Sequence, residues 1–233
     1  MPGAATLALL TGGLVAQILG AETVTRLAPP PGEVALDGVL ASIEPESDPT
    51  PRFVLRSDFV LLLRTELAMR GAPDALHVAV DDTVSLPILE QLMAETVVVR
   101  EAQRAGLDGV SPAELESARA LLVPRMAPAV EVDALLRETR CSATEFETLL
   151  RRRVVAERYL LSRRPELLEP SDDEVAQAME QERFRPLLAT ASSPTEGRAL
   201  LRRELMRRAL PRALRQYLRA LGSRVRVRRF RDA

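Results

Sequence analysis

The sequence contains no lysine and no tryptophan, and it has one cysteine and one histidine among its 233 residues. All 32 basic residues are therefore arginine. A single cysteine, Cys141, excludes an internal disulfide and any cysteine-rich metal site. With His77 as the one imidazole, a zinc site would need an unusual, carboxylate-heavy set of ligands. A catalytic thiol at Cys141 would also need His77 as its partner, so we interpret both residues as structural.

Familiar catalytic motifs are missing as well: there is no glycine-rich phosphate loop, no G-x-S-x-G and no H-E-x-x-H. The carboxylate pairs Asp81-Asp82 and Asp172-Asp173 are predicted to lie in a loop and at a helix start. We interpret them as structural, because acidic groups at such positions complement the helix dipole. We therefore expect no enzyme, no catalytic residue, no metal, no cofactor and no small-molecule substrate.

Charge is distributed unevenly along a chain that is 46% hydrophobic and has a net charge of -1. From Glu196 onward, thirteen arginines stand against three acidic residues. Such a basic end is found in nucleic-acid-binding proteins, and also on the solvated face of an amphipathic helix. The overall composition predicts one globular unit with a sizeable core.

The N-terminus has the pattern of an export signal. An apolar run covers residues 4–19 and is followed by two small residues, which predicts a signal peptide at 1–21 and a proline-rich linker at 22–33. The run is short for a membrane span and contains two glycines and a glutamine, so we expect no stable span. A buried N-terminal helix and a weak membrane anchor remain alternatives.

The middle of the chain is predicted to be helical. S-x-x-E capping boxes begin at Ser111, Ser142 and Ser171. Another helix is expected between a cap at Ser57 and a stop at Gly71. The remaining periodicity predicts helices at 86–105, 112–122, 131–139, 143–163, 172–182 and 195–221. The gaps between helices are expected to hold Pro124, Pro128, Pro165, Pro170 and Pro194.

The last predicted helix has leucines on one face and arginines on the complementary face, which we expect to be solvated. It continues to Gly222 with a kink or restart at Pro211. The arginines of that face are Arg198, Arg202, Arg203, Arg207, Arg208, Arg212, Arg215 and Arg219.

Two strand patterns lie at opposite ends of the chain. "SRVRVRRF" alternates with period two, which predicts a strand with Val225 and Val227 inward and a break at Phe230. A lone terminal strand needs a partner, and the strongest other strand pattern is Leu36–Ile43. We therefore predict a mainly α fold with a small β-sheet that pairs N-terminal and C-terminal strands.

The order of these elements resembles a known family. A strand, then "RSDF", "EAQRAGL", "SPAELESA", "CSATEFETLLRRRVVAERYL", "EPSDDEVAQAMEQ" and a final helix with a basic strand together resemble the SurA-like periplasmic chaperones and foldases. The resemblance covers residues 34–233 and implies a helical chaperone domain that binds unfolded outer-membrane polypeptides. Those relatives carry parvulin-type prolyl isomerase domains where this chain has only "RFRPLLATASSPTE", so the resemblance implies no isomerase activity.

The resulting hypothesis is a non-catalytic periplasmic chaperone for unfolded outer-membrane or secreted polypeptides. Methionines are flexible apolar side chains, and the candidate client-binding residues are Met69, Met93, Met126, Met179 and Met206. Apolar burial predicts binding that depends little on salt. The alternatives are an adaptor dedicated to one envelope partner and a nucleic-acid-binding protein that uses its arginine-rich end, whose affinity would fall steeply with salt.

Overall fold

The computed structural model describes residues 37–46, 50–126 and 128–230, apart from the side chain of Ser223. The described residues belong to one compact unit that begins at Asp37. The predicted signal peptide at 1–21 and linker at 22–33 lie outside the described residues, so both stay predictions.

The described chain is mainly α-helical with one small sheet, which confirms the predicted fold class. Its strands are β1 (Val39–Pro45), β2 (Arg52–Leu55) and β3 (Val225–Arg229). Its α-helices are α1 (Arg56–Met69), α2 (Asp82–Arg104), α3 (Pro112–Met126), α4 (Val132–Thr139), α5 (Ala143–Arg163), α6 (Asp172–Met179), α7 (Arg185–Leu188) and α8 (Pro194–Leu221). Short 3-10 turns at Pro165–Leu167, Glu182–Phe184 and Gly222–Arg224 complete the regular structure of this part.

The sheet joins the two ends of the described chain, as the strand patterns predict. Its order is β2-β1-β3, with both pairings antiparallel, and Ile43 lies opposite Val227. Val225 and Val227 are half-buried and pack on the core, whereas the arginines between and after them are exposed. The last strand ends before Phe230, where the alternation breaks.

All three predicted capping boxes form. In each, the serine hydroxyl accepts a hydrogen bond from the glutamate N–H three residues on, and the glutamate carboxylate accepts one from the serine N–H. These reciprocal bonds satisfy N–H groups that have no partner inside the helix. They fix the starts of α3, α5 and α6.

The predicted cap at Ser57 is wrong. Helix α1 begins at Arg56, so Leu55 occupies the N-cap position. No side chain at that position forms a capping hydrogen bond. Instead, the Asp37 carboxylate accepts hydrogen bonds from the Ser57 N–H at 3.1 Å and from the Ser57 hydroxyl. A residue from before β1 therefore supplies the acceptor, a long-range contact that no local pattern reveals. Gly71 ends the helix region as predicted, with φ of 68°.

Several other predicted helix bounds also need correction. Helix α2 begins at Asp82, because the Asp81 carboxylate accepts from the N–H groups of Thr83 and Val84 and so caps it four residues before the predicted start. Pro124 lies inside α3 rather than in a gap. The predicted 172–182 helix stops at Met179, and Pro211 lies within an α8 that runs unbroken to Leu221.

Three clusters of buried apolar side chains hold the helices together. The largest joins the sheet to α1 through α5, and a second lies between α2, α5 and α8. The third, smaller cluster centres on Phe184, which packs with α6 and with Leu201 of α8. Helices α2 and α5 both contribute to the first two clusters, so together they form the centre of the described unit.

Candidate functional site

An open groove lies beside this core and is bounded by α1, α3, α5 and α8 (hereafter "the groove"). Its volume is about 820 Å³, within the range usual for ligand pockets. Its walls come from the C-terminal end of α1, from Ala113 to Arg125 of α3, from Leu150 to Leu161 of α5, and from Arg207 to Arg215 of α8.

Apolar side chains form part of the groove wall. Leu121 of α3 is 52% exposed and lies in the groove. Val154 and Leu161 of α5 lie half-buried in the same groove, and Pro211 of α8 is also half-buried there. The groove therefore offers apolar surface that the core covers only in part, since Leu161 also packs against the second cluster.

Arginines are the dominant charged residues of the groove. Eight line it, against three glutamates, Glu66, Glu114 and Glu157. The arginines are Arg70, Arg125, Arg153, Arg158, Arg207, Arg208, Arg212 and Arg215. Four of them belong to the α8 face that was expected simply to be solvated, so that face also builds the groove.

A buried carboxylate holds several of these arginines in place. Glu204 of α8 is 6% exposed, and its oxygens lie 2.7 Å from Arg207 Nη2, 2.7 Å from Arg208 Nε and 3.6 Å from Arg125 Nη2. Burial lowers the pKa of Arg125, and Glu204 opposes that shift. One buried negative charge thus organises three guanidinium groups along the α3 and α8 sides.

The opposite side of the groove is also fixed by ion pairs. Glu66 pairs with Arg153, and Arg153 Nη1 lies 3.7 Å from Met69 Sδ. Arg158 pairs with Glu114 and so ties α5 to the start of α3. These contacts join α5 to α1 and to α3, and so they hold the groove walls in fixed positions relative to one another.

Three groove arginines make no ion pair or side-chain hydrogen bond with the part of the chain described above. They are Arg70, just after α1, and Arg212 and Arg215 on α8; the first two are exposed and the third is half-buried. Glu157 is half-buried in the same groove, and burial raises the pKa of its carboxyl while nearby Arg207 opposes the shift. The groove is therefore locally positive in a protein of almost zero net charge.

The five candidate methionines do not come together. Met69 lines the groove, whereas Met93 and Met126 are fully buried in the largest core cluster. Met179 packs half-buried on the small cluster around α6, and Met206 is half-buried on α8 outside the groove. Client contact through Met93 or Met126 would need the core to open. The binding role of the five residues stays a prediction.

The two residues considered for nucleophilic chemistry have different surroundings. Cys141 is buried, and its Sγ contacts the carbonyl oxygens of Thr139 and Ser57. Burial raises the pKa of its thiol, which disfavours the nucleophilic thiolate. His77 is exposed in the turn before α2. No group of three potential metal ligands occurs among the described residues.

A second cavity of about 570 Å³ lies between α2, α5 and the end of α8. Its wall includes the tyrosine pair Tyr159 and Tyr217, whose hydroxyl oxygens are 3.2 Å apart and whose rings meet edge to face. Burial raises the pKa of Tyr217, so its phenol stays protonated at neutral pH. Both tyrosines belong to the second core cluster.

The fold and the groove define a class: a mainly helical protein with a small sheet that joins its ends and an arginine-rich apolar groove. No protein-family model matches the chain, and no curated protein matches it in sequence. Among the described helices, none is long and apolar enough to cross a membrane.

The arginine content of the groove is the feature that sequence reasoning missed. The run Arg151-Arg152-Arg153 in α5 and the pair Arg207-Arg208 in α8 were visible signals. What the sequence does not reveal is that the two helices present arginines to one shared space.

Proposed function

We propose that this protein is a non-catalytic, SurA-like chaperone that binds extended segments of unfolded envelope polypeptides in the groove. The observation that carries the proposal is an open groove of about 820 Å³ with apolar side chains left outside the core, Leu121 foremost. Burial of apolar surface is the main driving force for holding an unfolded chain, and it needs surface of this kind.

The arrangement of elements supports the family assignment behind this proposal. The sheet that pairs β1 with β3 joins the ends of the helical unit, as the two strand patterns predict, and it follows the order of elements on which the resemblance rests. Between α6 and α8 the chain forms only a 3-10 turn and the four-residue α7. That connection is too short to hold an isomerase domain, because such a domain needs many tens of residues.

The proposal predicts that the protein suppresses aggregation of an unfolded outer-membrane polypeptide. Light scattering after dilution of the client from denaturant measures this effect. Leu121→Ser should weaken protection, because it removes exposed apolar surface from the groove. Leu86 of α2 is 41% exposed and lies outside the groove, so Leu86→Ser is the matched control and should protect like the wild type.

Equal protection by both variants would contradict binding in the groove, and no protection by the wild type would contradict the chaperone proposal. The proposal also includes a periplasmic location, which fractionation of the host cells tests. A tetrapeptide isomerisation assay should show no acceleration above background. The adaptor alternative would be favoured by tight binding to a single envelope protein and to no unfolded client.

A further inference from the structure

The charges of the groove indicate which polypeptide segments it should favour. Resting on the function proposed above, we propose that the groove selects apolar segments that carry acidic side chains. The occupant is thus an unfolded chain in which leucine-like residues are interspersed with aspartate or glutamate.

Local charge is the first argument. Eight arginines line the groove against three glutamates, and the excess remains positive when the nearby Glu204 is counted. The whole protein has a net charge of only -1, so this positive potential is a property of the groove and not of the molecule. Grooves with low-dielectric walls concentrate such a potential.

The second argument is that some of these arginines have no ion-pair partner among the described residues. Arg153 and Arg158 are paired with glutamates, and Glu204 pairs with three further arginines. Arg70, Arg212 and Arg215 have no such partner in the part of the chain that the structure describes. A carboxylate on a bound segment would supply the partner, through charge-assisted hydrogen bonds to the guanidinium groups.

The position of the apolar residues completes the argument. Leu121, Val154 and Leu161 line the same groove as the arginines without an ion-pair partner in the described part of the chain. An occupant therefore meets apolar surface and positive charge together. A purely apolar segment would leave the arginines partly desolvated without partners, and a basic segment would be repelled.

This preference modifies the expected salt dependence. Neutral apolar segments should bind with little dependence on salt, as apolar burial predicts. Acidic segments should bind more tightly at low salt and lose that advantage as screening increases.

Fluorescence anisotropy with three labelled peptides tests the proposal. The peptides share one length and one set of apolar residues, and their polar positions are all glutamate, all glutamine or all lysine. The glutamate peptide should bind about tenfold more tightly than the glutamine peptide at low salt, an effect of two or three exposed ion pairs. The lysine peptide should bind most weakly.

Charge reversal in the groove should change this order. The double variant Arg212→Glu with Arg215→Glu should lose the preference for the glutamate peptide over the lysine peptide, because it leaves as many carboxylates as guanidinium groups when Glu204 is counted. The matched control reverses Arg198 and Arg203, which are exposed on the same helix outside the groove and should leave the order unchanged. Arg70→Glu, at a residue that follows α1, provides an independent groove variant if the α8 variant does not fold.

The possible outcomes separate the two proposals. Equal binding of the glutamate, glutamine and lysine peptides would overturn the acidic preference and leave the chaperone proposal standing. An equal effect of the control reversal would also overturn the preference, because it would locate the charge effect outside the groove. No binding of any peptide would end both proposals. A DNA duplex that displaces the glutamate peptide at a lower concentration than unlabelled glutamate peptide does would assign the arginines to nucleic-acid binding. That result would overturn the proposed preference for acidic segments.

Discussion

The two faces of helix α5 differ sharply over adjacent residues. Leu160 is fully buried between α2 and α8, whereas its neighbour Leu161 is half-buried and lines the groove. Val155, Ala156 and Tyr159 share the buried face, and the groove face mixes apolar residues with arginines and a glutamate. One helix therefore stabilises the fold on one side and forms a wall of the groove on the other.

This difference shows that helical periodicity lets one segment place residues with different requirements on its two faces. A buried face must be apolar and closely packed, because cavities and unpaired charges are costly there. The groove face can keep charged residues, since they pair with neighbours or remain partly hydrated. The account therefore predicts that mutations on the two faces have separable effects on stability and on binding.

The largest expected effect is on the buried face. Leu160→Ala should lower the free energy of unfolding by about 2 to 5 kcal/mol, because it leaves a cavity in a closed cluster. Leu161→Ala should cost about 1 kcal/mol or less, because the side chain is already partly exposed. Urea denaturation measures both variants. Similar losses at the two positions would remove the distinction between the faces.

The C-terminal strand tests whether the buried side extends to the sheet. Truncation after Gly222 removes β3 and its pairing with β1, including the half-buried Val225 and Val227. We expect a loss of roughly 2 kcal/mol from the two valines, which corresponds to a Tm lower by about 4 to 8 °C. Calorimetry should show no such shift for Arg228→Ser, at an exposed position of the strand. An unchanged Tm for the truncated chain would mean that the strand contributes nothing to stability.

The capping box at the start of α5 supports both faces equally. Ser142→Ala removes the hydroxyl that accepts from the Glu145 N–H at 3.2 Å. The expected loss is about 1 kcal/mol. Ser117→Ala is the control, because this exposed serine lies inside α3 and its hydroxyl donates only to the Ala113 carbonyl. Thermal unfolding that ranks the two variants in the reverse order would contradict this role for the box.

The smallest effect concerns pH and the groove face. Burial holds the pKa of Glu157 above its usual value of 4.5, so the folded state binds this proton more readily than the unfolded state. Its contribution to stability is therefore present below that value and is lost as pH rises through the raised pKa. Glu157→Gln should gain stability relative to the wild type as pH rises above about 4.5 and through the raised pKa. Tm values measured across this range would contradict the assignment if the difference shrinks as pH rises.

Sequence patterns predicted the periodic part of this fold well, for a physical reason. Capping boxes and alternating valines are local, and the hydrogen bonds and burial that they imply form within a few residues. The Asp37 contact with Ser57 and the pairing of Glu204 with Arg125 join residues far apart in the chain, so no short window of sequence contains them. The groove depends on the relative positions of four helices and was visible in sequence only as scattered arginines.

The most direct test of the central claim is site-specific photo-crosslinking to an unfolded outer-membrane polypeptide. A photoreactive residue at position 121 lies in the groove, and one at position 86 lies at an exposed position of α2 outside it. The account predicts strong client crosslinking from position 121 and little from position 86. Equal crosslinking from both positions, or crosslinking from position 86 alone, would contradict client binding in the groove.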